Sequence, residues 1–116
     1  AHALESNVDL GLLHGEAVAL GLVAACRAAR AAGLLSGDEL EDRVRRLLER
    51  CGLPSSLSAG VRIDLGALRD VMRLDKKSLG GRVRLVLPRG IGQIEVVEGL
   101  PEDVVDAGWS AILAGD

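Results

Sequence analysis

The sequence predicts a mainly α fold, a helical bundle domain that carries one small antiparallel β-hairpin. Three observations predict it. Nearly half of the 116 residues are apolar, yet there is one Trp and no Phe or Tyr, so the core must be built from Leu, Val, Ile and Ala, which favours close helix packing. Apolar positions follow a helical period over three long stretches, each bounded by capping or breaking residues. Late in the chain the period changes to two, across a glycine-rich turn. A chain of this length supports one compact domain and is too short for two.

The elements are expected in this order. "EAVALGLVAACRAARAA", from Glu16 to Ala32, is the strongest helix and is closed by Gly33. Its first half is apolar on every side, which predicts burial among other helices. Gly21 inside it costs about 1 kcal/mol against Ala, a cost best offset by close approach of a neighbouring backbone. A second helix opens with "SGDE", where Ser36 and Glu39 form a capping box. It runs to Arg50, stops at Gly52 and Pro54, and presents Val44, Leu47, Leu48 and Cys51 as its apolar stripe. "PSSLSAG" is a loop. Asp64 then caps "LGALRDVMRL", with Leu65, Leu68, Val71 and Met72 at helical spacing, and "DKKSLGG" forms a turn after it. "RVRLVLP" and "QIEVVEG" read as antiparallel strands joined around "RGIG", with Val83, Leu85 and Leu87 inward. Arg84 is expected to pair with Glu95 across the ladder, for roughly a few tenths of a kcal/mol. A last helix begins at Pro101 and carries "EDVVDAGWSAIL".

Several function classes are disfavoured by composition. Net charge is −3 with both signs interspersed, and rings on which bases could stack are almost absent, so nucleic acid is not an expected partner. The longest apolar run, Ala17 to Cys26, falls well short of the ~20 residues that span a bilayer, and no membrane association is expected. Cys26 and Cys51 lie in helical patterns of an Arg- and Glu-rich chain, which suggests reduced, buried thiols in a cytoplasmic protein rather than a disulfide. The chain starts at Ala, abruptly, in apolar "AHALE", and is read as a piece of a longer protein.

Chemistry-bearing residues gather in two places. His2 and His14 are the only histidines, and their separation is not the i, i+4 spacing of a helix-borne metal pair. His14 stands immediately before the long helix, at the positive end of its dipole, which favours the neutral imidazole a metal requires. The plainer reading is a polar helix entry, with Glu16 complementing the dipole. "HGE" also matches the H-x-E of zinc deaminases, but their P-C-x-x-C partner is missing. Twelve of the fourteen basic residues are arginines, and the two lysines, Lys76 and Lys77, are adjacent in "LDKKSLGG". Such a pair suits compact, mobile ammonium groups on a phosphate, against the plainer reading of a solvated turn. Asp75 could hold one ammonium, and Gly80 and Gly81 would allow close approach of a ligand. "LPRGIG" joins two strands and opens no helix, so it is not a dinucleotide or P-loop fingerprint.

Taken together, "AHALE", "LHGEAVALG", "AAGLLS", "LLERCGLP", "MRLDKKSLGGRVRLVLPRGIG" and "EVVEGLPEDVV" resemble the C-terminal helical domain of the 3-dehydroquinate synthases, in order and over essentially the whole chain. The resemblance implies that residues 1–116 are a metal- and substrate-binding helical domain whose NAD-binding partner domain is not in this chain. It implies conversion of 3-deoxy-D-arabino-heptulosonate 7-phosphate (DAHP) to 3-dehydroquinate and phosphate, a step of the shikimate pathway, with NAD and a divalent metal, usually zinc. It further implies a cytoplasmic enzyme, a small sugar phosphate as ligand, and a homodimer for the full-length protein.

Residue by residue, His14 matches the metal ligand of "LHGE". His2 matches the second histidine of the "GHAIE" motif, near the substrate phosphate, where it assists the proton chemistry of elimination; Ala1 stands where Gly is commoner. Lys76 and Lys77 match the "DKK" loop over that phosphate, with Lys76 preferred as the contact. The family's other metal-binding histidine would precede Ala1. In the implied mechanism a ring hydroxyl on the metal is oxidised by NAD, phosphate is eliminated, the hydride returns, and ring opening with an aldol closure follows. The fragment alone is expected to be inactive and to bind neither NAD nor zinc tightly. The alternatives are another sugar-phosphate cyclase of the superfamily, which would tend to depart from "DKK", an iron-type alcohol or glycerol dehydrogenase, which would lack the lysine loop, and a non-catalytic helical interaction module.

Overall fold

The computed structural model describes residues 1–5, 11–57, 65–78 and 84–113, with the backbone alone described at 65 and 73–78. The elements are α1 (His2–Glu5), α2 (His14–Ala31), α3 (Glu39–Arg50), α4 (Leu65–Ser78), β1 (Arg84–Gly90), β2 (Gln93–Glu98) and α5 (Glu102–Ser110). This is the expected helical domain with one hairpin. Asp64, Gly80, Gly81 and Val83 lie outside the described residues.

Helix α2 is the axis of the domain, and α1, α3, α5 and β1 all pack on it. Its alanines make this closeness feasible: Ala17, Ala19, Ala24, Ala28 and Ala29 are buried together with Leu20 and Val23. The helix ends in a Schellman motif, in which the Gly33 N–H donates to the Arg30 carbonyl at 3.1 Å and the Leu34 N–H to that of Ala29 at 2.9 Å. Gly33 supplies the left-handed backbone this requires, at φ +81°. Helix α3 closes in the same way over Gly52, with Leu53 N–H donating to Leu48 O at 2.9 Å.

Gly21 behaves as its sequence context predicts. A Cβ there would meet the Ala1 backbone nitrogen at 3.1 Å, so the missing side chain is what lets α1 lie against α2. The expected burial of the first half of α2 is corrected: Val18 and Leu22 are exposed. They continue from His14 at four-residue spacing along one side of α2.

Helix α3 also departs from expectation. Its N-cap is Asp38 without a side-chain cap bond, and the capping box from Ser36 is absent. Of its expected stripe only Leu48 is buried, Val44 is half-buried, and Leu47 and Cys51 are exposed. What α3 buries instead is Glu41. Arg27 Nε and Nη2 donate to its two oxygens at 2.7 and 2.9 Å, and Arg45 Nε donates at 3.2 Å. Arg45 then reaches the carbonyls of Ser55 at 2.8 Å and Ala111 at 2.5 Å. The clamp ties α2, α3, the following loop and the end of α5. Both cysteines are free, Cys26 buried and Cys51 exposed, so the expectation of buried thiols holds only for the first.

The hairpin pairs Leu85 with Val97, Val86 with Val96 and Leu87 with Glu95, and turns through Ile91 and Gly92. This register brings Arg84 opposite Glu98, and Arg84 Nε donates to Glu98 Oε1 at 2.8 Å. The expected Arg84–Glu95 pair is therefore corrected, and Glu95 pairs with Arg89 instead. Leu87 points inward as predicted and is buried with Ala28 and Ala29, while Leu85 and Val97 flank it. Helix α5 starts one residue later than expected, with Pro101 as its N-cap, and lies across α2, with Trp109 and Ile112 in the main core.

Candidate functional site

His14 is the first residue of α2, and its side chain is 77% exposed. Its backbone position is held by the turn itself. The Leu13 N–H donates to Glu16 Oε1 at 2.9 Å and the Ala17 N–H to Leu13 O at 3.0 Å. Glu16 thus caps the start of the helix, a contact beyond the dipole-complementing role that its plainer reading gave it. The imidazole stands in solvent at the helix mouth rather than in the core.

His2 opens α1 and is likewise exposed. The single turn of α1 is anchored by Ala3 and Leu4, the latter with no solvent exposure. It packs against both α2 and α4. One short element therefore joins the histidine end of α2 to the helix that carries the lysines.

Glu5, at the end of α1, makes the closest link. Its Oε1 lies 2.7 Å from His14 Nδ1. A carboxylate can only accept here, so Nδ1 carries a proton, and in the neutral ring Nε2 is the nitrogen that holds the lone pair. Sequence reasoning missed Glu5. Its one available signal was its place in "AHALE", and nine residues separate it from His14, a distance that matches no local period.

Lys76 and Lys77 lie within α4, which runs to Ser78. The expected turn at "DKK" is corrected: the helix continues through both lysines, at the end where its dipole favours cations. Their side chains, and that of Asp75, lie outside the described residues.

His14 fits a zinc ligand by the chemistry of its donor: an exposed imidazole whose Nδ1 is taken up by Glu5, which leaves Nε2 as the nitrogen to offer a metal. Among the described residues no three His, Cys, Asp or Glu side chains converge on a cation site. Nor is any described helix long and apolar enough to cross a membrane.

The family described as 3-dehydroquinate synthase C-terminal matches residues 1–78, from α1 to the end of α4. This chain belongs to the 3-dehydroquinate synthase family. It is 42% identical over 105 residues to the 3-dehydroquinate synthase of Nostoc punctiforme, covering 90% of this chain and 28% of that protein. It is 44% identical over 110 residues to that of Xanthomonas campestris pv. campestris, covering 90% and 29%. With the 3-dehydroquinate synthase of a Synechococcus sp. it shares 39% identity over 112 residues, covering 96% and 30%. The chain thus spans under a third of the length of these 3-dehydroquinate synthases. The resemblance seen in "LHGEAVALG" and "AHALE" is borne out, and His2, Glu5, His14, Lys76 and Lys77 all fall in the stretch that the family matches.

Proposed function

We propose that this chain is the C-terminal, metal- and substrate-facing part of a 3-dehydroquinate synthase, acting with an NAD-binding half on DAHP to give 3-dehydroquinate and phosphate. The observation that carries the reading is the exposed His14 at the mouth of α2, its Nδ1–H tied to Glu5 on the same short helix as His2. Bound zinc and NAD would supply Lewis-acid polarisation and reversible oxidation of a ring hydroxyl. His14 would offer Nε2 to the metal. His2, on the same side through α1, would stand near the phosphate and assist proton transfer as it leaves. Lys76 and Lys77 would bind the phosphate dianion and stabilise charge that builds on it during elimination. The packing of α1 on both α2 and α4 supports bringing these groups to one site.

The test uses the full-length protein. His14→Ala should abolish both zinc retention, measured by metal analysis, and turnover. Lys76→Ala and Lys77→Ala should keep zinc but lower kcat/KM for DAHP by about ten- to a hundredfold at the contacting position, as loss of a charge-assisted hydrogen bond worth ~1.5–3 kcal/mol requires. Retained zinc and unchanged turnover in His14→Ala would remove the reading.

A further inference from the structure

We infer that Glu5 is a positioning residue: its carboxylate fixes the tautomer and ring orientation of His14 so that Nε2 faces outward for a divalent cation. The inference rests on the metal role proposed for His14 and adds a residue that acts through it.

Three features carry it. The Glu5–His14 contact is short, 2.7 Å, within the range of a charge-assisted hydrogen bond. Both partners sit on fixed backbone. The Glu5 N–H donates to Ala1 O at 3.0 Å beside the fully buried Leu4, while His14 lies in the capped first turn of α2. The pair is also oriented for a task that an ordinary surface ion pair does not need. An exposed imidazole joined to a carboxylate contributes little stability, yet a metal-binding histidine depends on a hydrogen bond at its other nitrogen, which selects the tautomer and raises the basicity of the ligating one. With Nδ1–H donated to Glu5, a neutral ring exposes a lone pair only at Nε2. Without Glu5 the ring would divide between tautomers and rotamers, and part of the population would present N–H to the cation.

The experiment takes the full-length protein and its Glu5→Ala, Glu5→Gln and His14→Ala variants. Zinc affinity is measured by competition with a chromophoric chelator, and the His14 tautomer by 15N chemical shifts of the imidazole in the zinc-free protein. Thermal unfolding serves as the control for folding. The expected result is that Glu5→Ala weakens zinc binding by about 10–100-fold, with His14 shifting from the Nδ1–H form toward a mixture and the unfolding midpoint unchanged. Glu5→Gln keeps an acceptor oxygen and should recover part of the affinity. Zinc affinity within twofold of the parent in Glu5→Ala, with the tautomer unaltered, overturns the positioning role, while loss of zinc in His14→Ala leaves the metal reading standing. Zinc retained by His14→Ala removes both.

Discussion

A single missing methyl group sets how closely α5 approaches α2. A Cβ at Gly108 would meet the Ala24 carbonyl oxygen at 2.8 Å and the Ala28 side chain at 3.3 Å. The first is a backbone atom of the central helix and cannot swing away. Gly108→Ala should raise helix propensity by about 1 kcal/mol and still destabilise the protein, by roughly 1–3 kcal/mol, because the two helices must part. Urea unfolding reads the sign directly, and a stabilised variant would show that α5 does not sit so close. Gly21 is the milder case, since the atom it faces, the Ala1 nitrogen, is 3.1 Å away. Its need for space was legible in the sequence, because a glycine inside an apolar helix has no other explanation. Gly108 sits beside Trp109 in a shorter, mixed helix and carried no such signal.

Among the elements, α3 shows how a charged sequence hides a buried group. "ELEDRVRRLLER" reads as a solvated helix with a thin apolar stripe, yet Glu41 is 5% exposed. Its main partner, Arg27, lies fourteen residues earlier on another helix, so no period could reveal the pair. Burial on its own would push the Glu41 carboxyl up. The hydrogen bonds and charge of Arg27, followed by those of Arg45, outweigh it and hold the group below its ordinary value. The contribution to stability is then complete above the unfolded-state pKa of about 4.3 and is lost as pH falls through the lower folded value. Glu41→Gln should flatten the acid limb of a stability–pH curve below about pH 4.3, and an unchanged acid limb would count against the clamp. Glu41→Ala strands two guanidinium groups and should cost about 3 kcal/mol, at the lower end for a broken buried pair because both arginines partly meet solvent. In α4 the error ran the other way: the lysine pair and the glycines after it read as a turn, but the helix carries on to Ser78.

For the whole molecule, the decisive fact is span: this chain covers 28–30% of the length of the 3-dehydroquinate synthases compared with it. The exposed His14 at the start of α2 meets the half-buried Glu5 at the end of α1, and a cation site needs further donors. Residues 1–116 on their own, supplied with NAD, zinc and DAHP, should release no phosphate above background in a coupled assay. Steady turnover by the isolated chain would contradict the division of labour proposed for it. The same reasoning gives the outward side of α2 its context. Val18 and Leu22 run on from His14 and remain exposed in this chain.

The sequence by itself determined the bodies of the long helices, where the hairpin turns and which family the chain resembles, because those rest on local period, on caps such as Gly33, and on short motifs around His2, His14 and the lysines. It did not determine the short α1 or the end of α4. Only the tertiary structure decided that Glu5 holds His14, that Glu41 is clamped by Arg27 and Arg45, and that Val18 and Leu22 stay outside. Each of those depends on which surface another element covers, and a residue's own neighbours along the chain carry no record of contacts made across the fold.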